Sequence, residues 1–492
     1  MEITDLTPAE RRVWEAFPRG DGVDFRAHPD DSSVDGAGWG PERTVRAEVL
    51  RALLLGAGPA EEGRVAGLKV KGAKIVGGLD LRYAAVDHPI RLRDCWFERA
   101  PLMYGARLRA VVLGYSTLPG LTAATVRVDV VLRLSCCHIT GPVRLQGAKI
   151  DGGLFLQGAV IGRPARAGEA DEPPLQLNHV EVATDIIAND LTVHGQLRLN
   201  GATVGGQVSL DGARLLNPGG TALHAEKLTV GTDLRAYRTQ ARGTVNLTGS
   251  RIPGQLNFAY ASFATPGGVA LRASSCAVGE MWLRGCDQVQ GLVNLRRSHF
   301  ELLHVPSTTW PEKIRIDGLT YRTLAPHLPA AQRLPALERE ESGYLPYAYE
   351  QLAAAYRTAG DEAAARTVQL AKLRRHRRTL PRAARLWGLL QDVTVGYGFR
   401  PLRAAAWLAA LLLIGSLAYT AHAPRPLKQG EAPDFNAVFY TIDLMLPIVG
   451  FGQESAYAPS GWYQWLSYLL IVTGWILATT TAAGVSRSLQ RQ

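Results

Sequence analysis

Two glycine-containing pentapeptides have residue types and spacing that could coordinate a cation. They are TVGYG at 394–398 and IVGFG at 448–452. Glycines allow consecutive backbone carbonyl oxygens to point to one side, and such oxygens can replace the hydration shell of an ion. Irregular backbone at membrane depth must be buried in protein or line water. A segment that coordinates ions in this way therefore has to lie between two membrane spans. TVGYG precedes both candidate spans, so we interpret it as a glycine-rich turn that leads to the first span.

A basic block from Lys372 to Arg385, KLRRHRRTLPRAAR, contains seven Lys or Arg residues and no acidic residue. Cations next to an anionic leaflet each contribute about 1 kcal/mol to membrane binding. We predict that the block binds anionic lipid headgroups; the alternative is that it acts only as a topology signal. The predicted headgroup contacts are Lys372, Arg374, Arg375, Arg377, Arg378, Arg382 and Arg385.

Motifs for enzymatic chemistry are missing from the sequence. It contains no phosphate-binding G-x-x-x-x-G-K-[ST], no G-x-G-x-x-G after a strand, no H-E-x-x-H and no G-x-S-x-G. The histidines are scattered and predict surface positions. We therefore predict no catalytic residue, no cofactor and no metal site, although an enzymatic role stays open.

The five cysteines have no C-x-x-C spacing, which predicts free thiols in a reducing compartment. The adjacent pair Cys136 and Cys137 could form a redox-active disulfide. Successive residues of a strand face opposite ways, however, so we expect one of the two to be buried and the other exposed.

The formal net charge of the 492-residue chain is +10, but its distribution does not indicate a nucleic-acid partner. Between Arg64 and Arg297 the chain carries 27 Lys and Arg against 17 Asp and Glu, without an aromatic stacking pattern. This excess also argues against mimicry of DNA, which requires an acidic surface.

A repeat runs from about residue 65 to residue 300. In TGPVRLQGAKIDGGLFLQGAVIG (140–162), Val143 and Leu145 recur eleven residues later as Leu154 and Leu156, and HGQLRLNGATVGGQVSLDGARL (194–215) has the same period. Each unit alternates apolar and polar residues and then turns at glycine, as a short strand with one buried face does. Strands repeated at a fixed period predict a parallel β-solenoid; an antiparallel sandwich is the alternative. The number of residues in one coil stays open.

Two uncharged apolar segments close the chain, Ala404–Ala423 and Trp462–Val485. Both are long enough to span a bilayer, and aromatic residues flank the second. The positive-inside rule then predicts a multi-pass protein of a bacterial cell membrane with the solenoid and both termini in the cytoplasm. A re-entrant or interfacial helix is predicted at 434–447, between the two segments.

The predicted domains are as follows: 1–64 an N-terminal helical cap, 65–323 the solenoid, 324–343 a linker, 344–401 a helical hairpin with the basic segment, and 402–492 two spans. The predicted fold class is mainly β, a right-handed parallel β-helix with an N-terminal helical cap, a helical hairpin and two C-terminal transmembrane helices.

Two resemblances add to these predictions. The repeat resembles pentapeptide-repeat and related right-handed β-helix proteins, and the order of parts resembles a set of actinobacterial membrane-associated proteins, some of them labelled oxidoreductases. WGPERTVRAEVL (39–50), YEQLAAAYRTAGDEAAAR (349–366) and TVGYGFRP (394–401) carry the second resemblance. A redox activity is what that label implies, and no motif in the sequence supports it.

The C-terminal 90 or so residues resemble the two-helix pores of potassium channels, with a short helix and G-F-G between the two apolar segments. Ile448 stands where that family has Thr, and Gln453 where it usually has Asp. The alternative is an amphipathic helix on the membrane surface followed by a turn. The candidate pore residues are Ile448, Val449, Gly450, Phe451 and Gly452.

Three hypotheses follow from the sequence. The first is a non-catalytic, membrane-anchored solenoid scaffold that binds an unidentified protein partner. The second is a tetrameric cation pore with a regulatory solenoid, and the third is a membrane-associated oxidoreductase. The chain could also form a homo-oligomer.

Overall fold

The structure is a computed structural model that describes residues 5–28, 30–58, 61, 63–164, 172–381, 401–428, 432–446 and 450–489. The chain divides into two units, Met1–Asp361 and Glu362–Gln492.

Helices lie mostly at the ends of the chain. In the described residues the α-helices α1 to α9 are, in order, Pro8–Ala16, Ala47–Ala52, Ala330–Glu338, Pro346–Thr358, Glu362–Thr379, Pro401–Ala421, Ala437–Met445, Gln453–Ala456 and Trp462–Leu489. Short 3₁₀ segments cover Phe17–Arg19, Ser33–Gly38 and Pro41–Arg43, and a π-turn covers Leu53–Ala57.

Most of the first unit consists of short strands. The strands β1 to β17 are Val23–Asp24, Thr44–Arg46, Leu68–Lys71, Lys74–Val76, Ala85–Val86, Ile90–Arg93, Trp96–Phe97, Arg107–Val112, Thr117–Leu118, Leu121–Thr122, Arg127–Arg133, His138–Ile139, Val143–Arg144, Lys149–Ile150, Gly153–Phe155, Val160–Ile161 and Leu175–Gln176. The strands β18 to β34 are Glu181–Val182, Ile186–Ile187, Thr192–His194, Leu197–Arg198, Thr203–Val204, Val208–Ser209, Arg214–His224, Thr229–Val230, Leu234–Arg235, Gln240–Asn246, Arg251–Asn257, Ser262–Arg272, Ala277–Trp282, Gln290–Asn294, His299–His304, Ile314–Arg315 and Thr320–Ala325.

These strands form a parallel β-solenoid of about 11 turns, so the predicted solenoid is confirmed. Each strand pairs in parallel with its equivalent on the next coil, as Leu68 does with Ile90 and Ile90 with Val111. Most coils therefore take 21 or 22 residues. The pairings build two large sheets, and one continuous apolar core lies between them.

Each coil turns at residues with a left-handed backbone conformation. Positive φ angles recur at equivalent places on successive coils, for example at Gly147, His179 and Gly201. A Cβ atom on Gly201 would lie 2.5 Å from the Nδ1 atom of His179 on the preceding coil. Glycine is therefore favoured at that corner, although non-glycine residues such as His179 occupy equivalent corners with a positive φ.

The residue after a corner points into the solenoid and is usually small. Four cysteines occupy this place and are buried: Cys95, Cys137, Cys276 and Cys286. The Cys137 thiol donates to the carbonyl oxygen of Leu113 at 2.9 Å, and the Ser116 hydroxyl makes the equivalent bond to Leu92 at 3.1 Å. Cys136 is itself a corner residue with φ of 56° and is exposed. The expected burial of one cysteine of the pair and exposure of the other is confirmed.

The N-terminal residues cover the first coil. Thr7 and Glu10 form a capping box at the start of α1, and the Glu10 carboxylate also accepts from Arg46 at 2.7 Å. Burial alone would raise the pKa of Glu10, but the hydrogen bonds from Arg46 and from backbone N–H groups lower it to about 2. β1 pairs with β3 and β2 with β4, so two strands of this segment close the exposed end of the stack.

The N-terminal cap, predicted to be helical over 1–64, also contains strands: Thr44–Arg46 forms β2, and the α-helix that follows covers Ala47–Ala52. At the other end, α3 lies within the residues predicted to be a linker. α4 packs on the last strand, where the Gln351 side chain donates to the backbone oxygen of Tyr321 at 2.6 Å.

The second unit contains α5 to α9 and a two-stranded antiparallel pair, β35 (Arg425–Pro426) with β36 (Tyr457–Ala458). α6, α7 and α9 pack on one another. Their shared apolar core consists of Tyr419, Tyr440, Leu444, Met445, Tyr457 and Leu470. Close approach is possible at Gly474, where a Cβ atom would lie 2.4 Å from the Met445 carbonyl oxygen.

The two predicted C-terminal transmembrane helices are not supported, and this part of the predicted fold class was wrong. Within the residues that the structure describes, no helix is both long enough and apolar enough to cross a membrane. The prediction relied on runs without formal charge. The described parts of α6 and α9 also contain polar uncharged residues, such as Ser416, Thr420, Gln464 and Thr473, which lower their apolarity.

The burial of the cysteines predicts their reactivity. Burial raises the pKa of Cys95 and Cys137 to about 12 and of Cys276 and Cys286 to about 11. A titration of the native full-length chain with a thiol reagent at about pH 8 is expected to modify Cys136 alone. The other four should react only after unfolding in denaturant.

The Cys136→Ser variant provides the control for this titration, since it should leave no rapidly reacting thiol. Rapid modification of a second cysteine in the native protein would contradict the placement of the four thiols inside the solenoid.

Candidate anion-binding groove

A concave surface runs along the first coils of the solenoid. It consists of two adjoining chambers with volumes of about 760 and 440 Å³. β1, β3, β6 and the C-terminal ends of β8 and β11 line the larger chamber, and residues 30–34 line part of the smaller one. Lys71, Arg93 and Tyr115 line both, so the chambers form one groove, called the basic groove below.

The strand register brings four cationic residues together in this groove. On β3 and β6 the apolar residues point inward, and Lys69, Lys71, Arg91 and Arg93 point outward. Lys69 is paired with Arg91, and Lys71 with Arg93. Neighbouring strands are about 4.8 Å apart and alternate residues about 6.6 Å apart, so the four positions form a rectangle of about these dimensions. We call these four residues the cation quartet.

An apolar step separates the quartet from a fifth cation. Val112 is paired with Arg91 on one side and with Arg133 on the other. The Arg133 guanidinium lies 4.0 Å from the centre of the Phe155 ring. Such cation–π contacts hold a guanidinium in place while leaving its edge free to donate hydrogen bonds.

The larger chamber has a strong excess of positive charge. Among the described residues that line it, the acidic one is Asp24, which accepts a hydrogen bond from Arg26 at 2.9 Å, and this bond lowers the pKa of Asp24. In the described chain, none of the five cations of this chamber forms an ion pair with an Asp or Glu. The smaller chamber differs, because Asp30 and Asp94 line it as well.

Sequence reasoning missed this groove. Its signal is the pair LKVK and IRLR, 22 residues apart, in which cations alternate with apolar residues. Aligning successive coils at a period of 22 residues would have placed the cations of LKVK beside those of IRLR. A count of charges over the whole solenoid averages them with the acidic coils and hides the cluster.

The residues predicted to bind lipid headgroups lie in the second unit. Five of them, Lys372 to Arg378 in the block, are on α5. Arg382 and Arg385 lie outside the described residues, as does TVGYG at 394–398. The headgroup contacts stay a prediction.

Three of the five candidate pore residues, Gly450, Phe451 and Gly452, are described, while Ile448 and Val449 lie outside the described residues. The described three form part of a turn whose centre is the Asp443 carboxylate. It accepts from the N–H of Phe451 at 2.6 Å and from that of Gln453 at 2.8 Å. Gly452 has a φ of 79° and precedes α8. The pore hypothesis also required a transmembrane helix on each side, and it loses that support.

In the described residues, no group of three or more His, Cys, Asp or Glu side chains is arranged so that it could bind a metal ion.

Comparison with known proteins found no matching family model, no similar curated protein and no similar solved structure.

The Asp443 turn leads to a prediction for the second unit. Asn at position 443 has one side-chain oxygen and no charge, so it cannot accept all the hydrogen bonds that the carboxylate accepts. Losing a charged acceptor in a buried turn costs about 1–3 kcal/mol. For the Asp443→Asn variant, we expect backbone amide exchange at 451–454 to become about tenfold faster or more, as measured by hydrogen–deuterium exchange of the full-length chain.

The matched control is Asp434→Asn, because Asp434 is exposed and contributes its backbone oxygen, not its carboxylate, to this turn. Unchanged exchange in Asp443→Asn, or equal acceleration in both variants, would show that the carboxylate does not hold the turn.

Proposed function

We propose that this chain is a non-catalytic interaction protein whose solenoid binds an acidic segment of a partner protein in the basic groove. The observation that carries the proposal is a set of five cations that line one concave chamber and, within the described chain, form no ion pair with Asp or Glu. Elsewhere on the solenoid, a cation is often paired across coils, as Lys149 is with Glu181 at 2.8 Å. The groove is thus complementary in charge to an anionic partner.

A protein segment fits the groove better than a nucleic acid does. A phosphodiester chain carries a charge at every nucleotide and would meet Asp30 and Asp94 where the groove continues. Val112 and the half-buried Val131 favour an apolar side chain between two anionic ones. An extended peptide supplies that alternation, since its successive side chains point to opposite faces.

The buried thiols argue against a redox activity based on cysteine. A thiolate is the reactive form of cysteine, and burial has raised the pKa of four of the five thiols to about 11 or 12. These cysteines act as small core residues of the coil corners.

Binding of a fluorescent acidic peptide tests the proposal. The probe is a short peptide in which Glu alternates with Val and Ser, and the comparison peptide has Lys at every Glu position. With the full-length chain, we expect saturable anisotropy changes for the Glu peptide only, and weaker binding at about 0.5 M than at about 0.05 M NaCl.

The double variant Arg91→Gln, Arg133→Gln should weaken this binding about tenfold, because each exposed ion pair contributes up to about 1 kcal/mol. The matched control is Arg107→Gln, on another face of the same coils, where Arg107 lies 3.9 Å from Asp129. Equal affinity for the Lys peptide, or an effect of Arg107→Gln as large as that of the groove variant, would overturn the proposed function.

A further inference from the structure

The cation quartet concentrates more charge than a single carboxylate can neutralise. Four Lys and Arg side chains project from two adjacent strands. Asp24 lies opposite Lys71, and where the groove continues Lys71 and Arg93 share the smaller chamber with Asp30, Asp31 and Asp94. Asp24 is already bonded to Arg26 at 2.9 Å. A Glu or Asp side chain of a partner would supply one negative charge and leave most of the quartet without a counter-ion.

A phosphoryl group matches the quartet in charge and in geometry. A phosphate monoester carries a charge of about −1.5 to −2 at neutral pH and has three strong acceptor oxygens. The strand register holds four donors around one area of about 4.8 by 6.6 Å, within reach of those oxygens. Two of the donors are arginines, whose planar forks donate two parallel hydrogen bonds to phosphate.

The packing around the quartet favours the same ligand. The Arg93 guanidinium lies 5.2 Å from the centre of the Tyr115 ring, a contact that uses the face of the guanidinium and leaves its N–H edge available. Lys69 and Lys71 project from the same strand, and lysine contributes a compact charge with rotatable donors. Planar guanidinium groups that donate paired hydrogen bonds, together with compact ammonium charges, suit a tetrahedral anion.

We propose that the cation quartet binds a phosphoryl group on a serine or threonine side chain of the partner segment. This inference rests on the proposed function, because the phosphorylated residue occupies the same basic groove. Phosphorylation of the partner then controls the affinity of the complex. The apolar step at Val112 receives a neighbouring apolar side chain, and Arg133 pairs with an acidic residue farther along the segment.

Three peptides that differ at one position test the inference. Each contains Val and Glu after the variable position, which is phosphoserine, Glu or Ser. With the full-length chain, we expect the phosphoserine peptide to bind about tenfold more tightly than the Glu peptide, and the Ser peptide to bind most weakly. Equal affinities for the phosphoserine and Glu peptides would overturn the inference and leave the proposed function standing. No binding of either peptide would overturn both.

Variants locate the preference in the quartet. The double variant Arg91→Lys, Arg93→Lys keeps the charge and removes the forks, so it should lower the ratio of phosphoserine to Glu affinity severalfold. Asp24→Asn removes the acid beside Lys71 and releases Arg26, so it should tighten binding of the phosphoserine peptide. A gain in affinity cannot result from misfolding. The inference fails if the ratio is unchanged in the first variant or if binding weakens in the second.

Competition separates the sources of phosphate. An excess of inorganic phosphate should displace the phosphoserine peptide, and so should sulfate, which is also tetrahedral and carries a charge of about −2. Tighter binding of a short oligothymidylate or of phosphatidylglycerol vesicles than of the phosphoserine peptide would overturn the assignment to a protein partner. The number of thiols that react rapidly checks that each variant is folded, since Cys136 alone is exposed and one rapidly reacting thiol is expected.

Discussion

The backbone hydrogen bonds that join each coil to the next in parallel register are the constraint on which the solenoid depends. They place paired strand residues directly over their equivalents on the coil below, as with Leu132, Leu154 and Ile186, and bulges shift the register only locally. An inward residue therefore always packs on an inward residue, and the core continues without interruption. The same register applies to outward residues. A charge placed on one coil lies about 4.8 Å from the residue at that position on the next, so surface chemistry accumulates in columns.

The sequence predicted the strands and their stacking because the parallel register requires apolar residues to recur at a fixed spacing along the chain. Val143 and Leu154 are eleven residues apart and both are fully buried, but they belong to different sheets. Eleven residues are thus half a coil. The eleven-residue period alone does not show whether one coil contains one repeat or two, since both sheets need the same alternation of apolar and polar residues. The pairing of Val143 with Leu175 on the next coil settles the matter, and that is information about distant residues.

Other features depend on tertiary contacts that no local pattern contains. Thr44–Arg46 has helical neighbours on both sides, yet it pairs with Lys74–Val76 because the open end of a stack needs a partner for its backbone groups. Predicting the basic groove would have required the register of β3 and β6. It would also have required knowing that residues 22–24 and 30–34, about 40 residues earlier in the chain, line the same surface. In the second unit, absence of charge had predicted transmembrane helices. Helices packed on one another also need uncharged faces, so that signal is not specific.

The charges of the quartet are not needed for the fold, and the solenoid itself supplies the comparison. The column of outward positions that includes Lys69 and Arg91 continues on later coils with Val112, Arg133, Phe155, Ile187 and Ser209. Apolar and neutral residues thus stack equally well at equivalent positions. Like charges directly opposite each other on neighbouring strands destabilise a sheet, whereas opposite charges stabilise it. On another column Lys149 faces Glu181 on one side, and on its other side it faces Arg127, which in turn faces Arg107. The quartet breaks the rule twice, at Lys69 with Arg91 and at Lys71 with Arg93. Like charges also stack outside the groove, so what distinguishes the quartet is that both of its pairs line one concave chamber, where a bound anion would remove the repulsion.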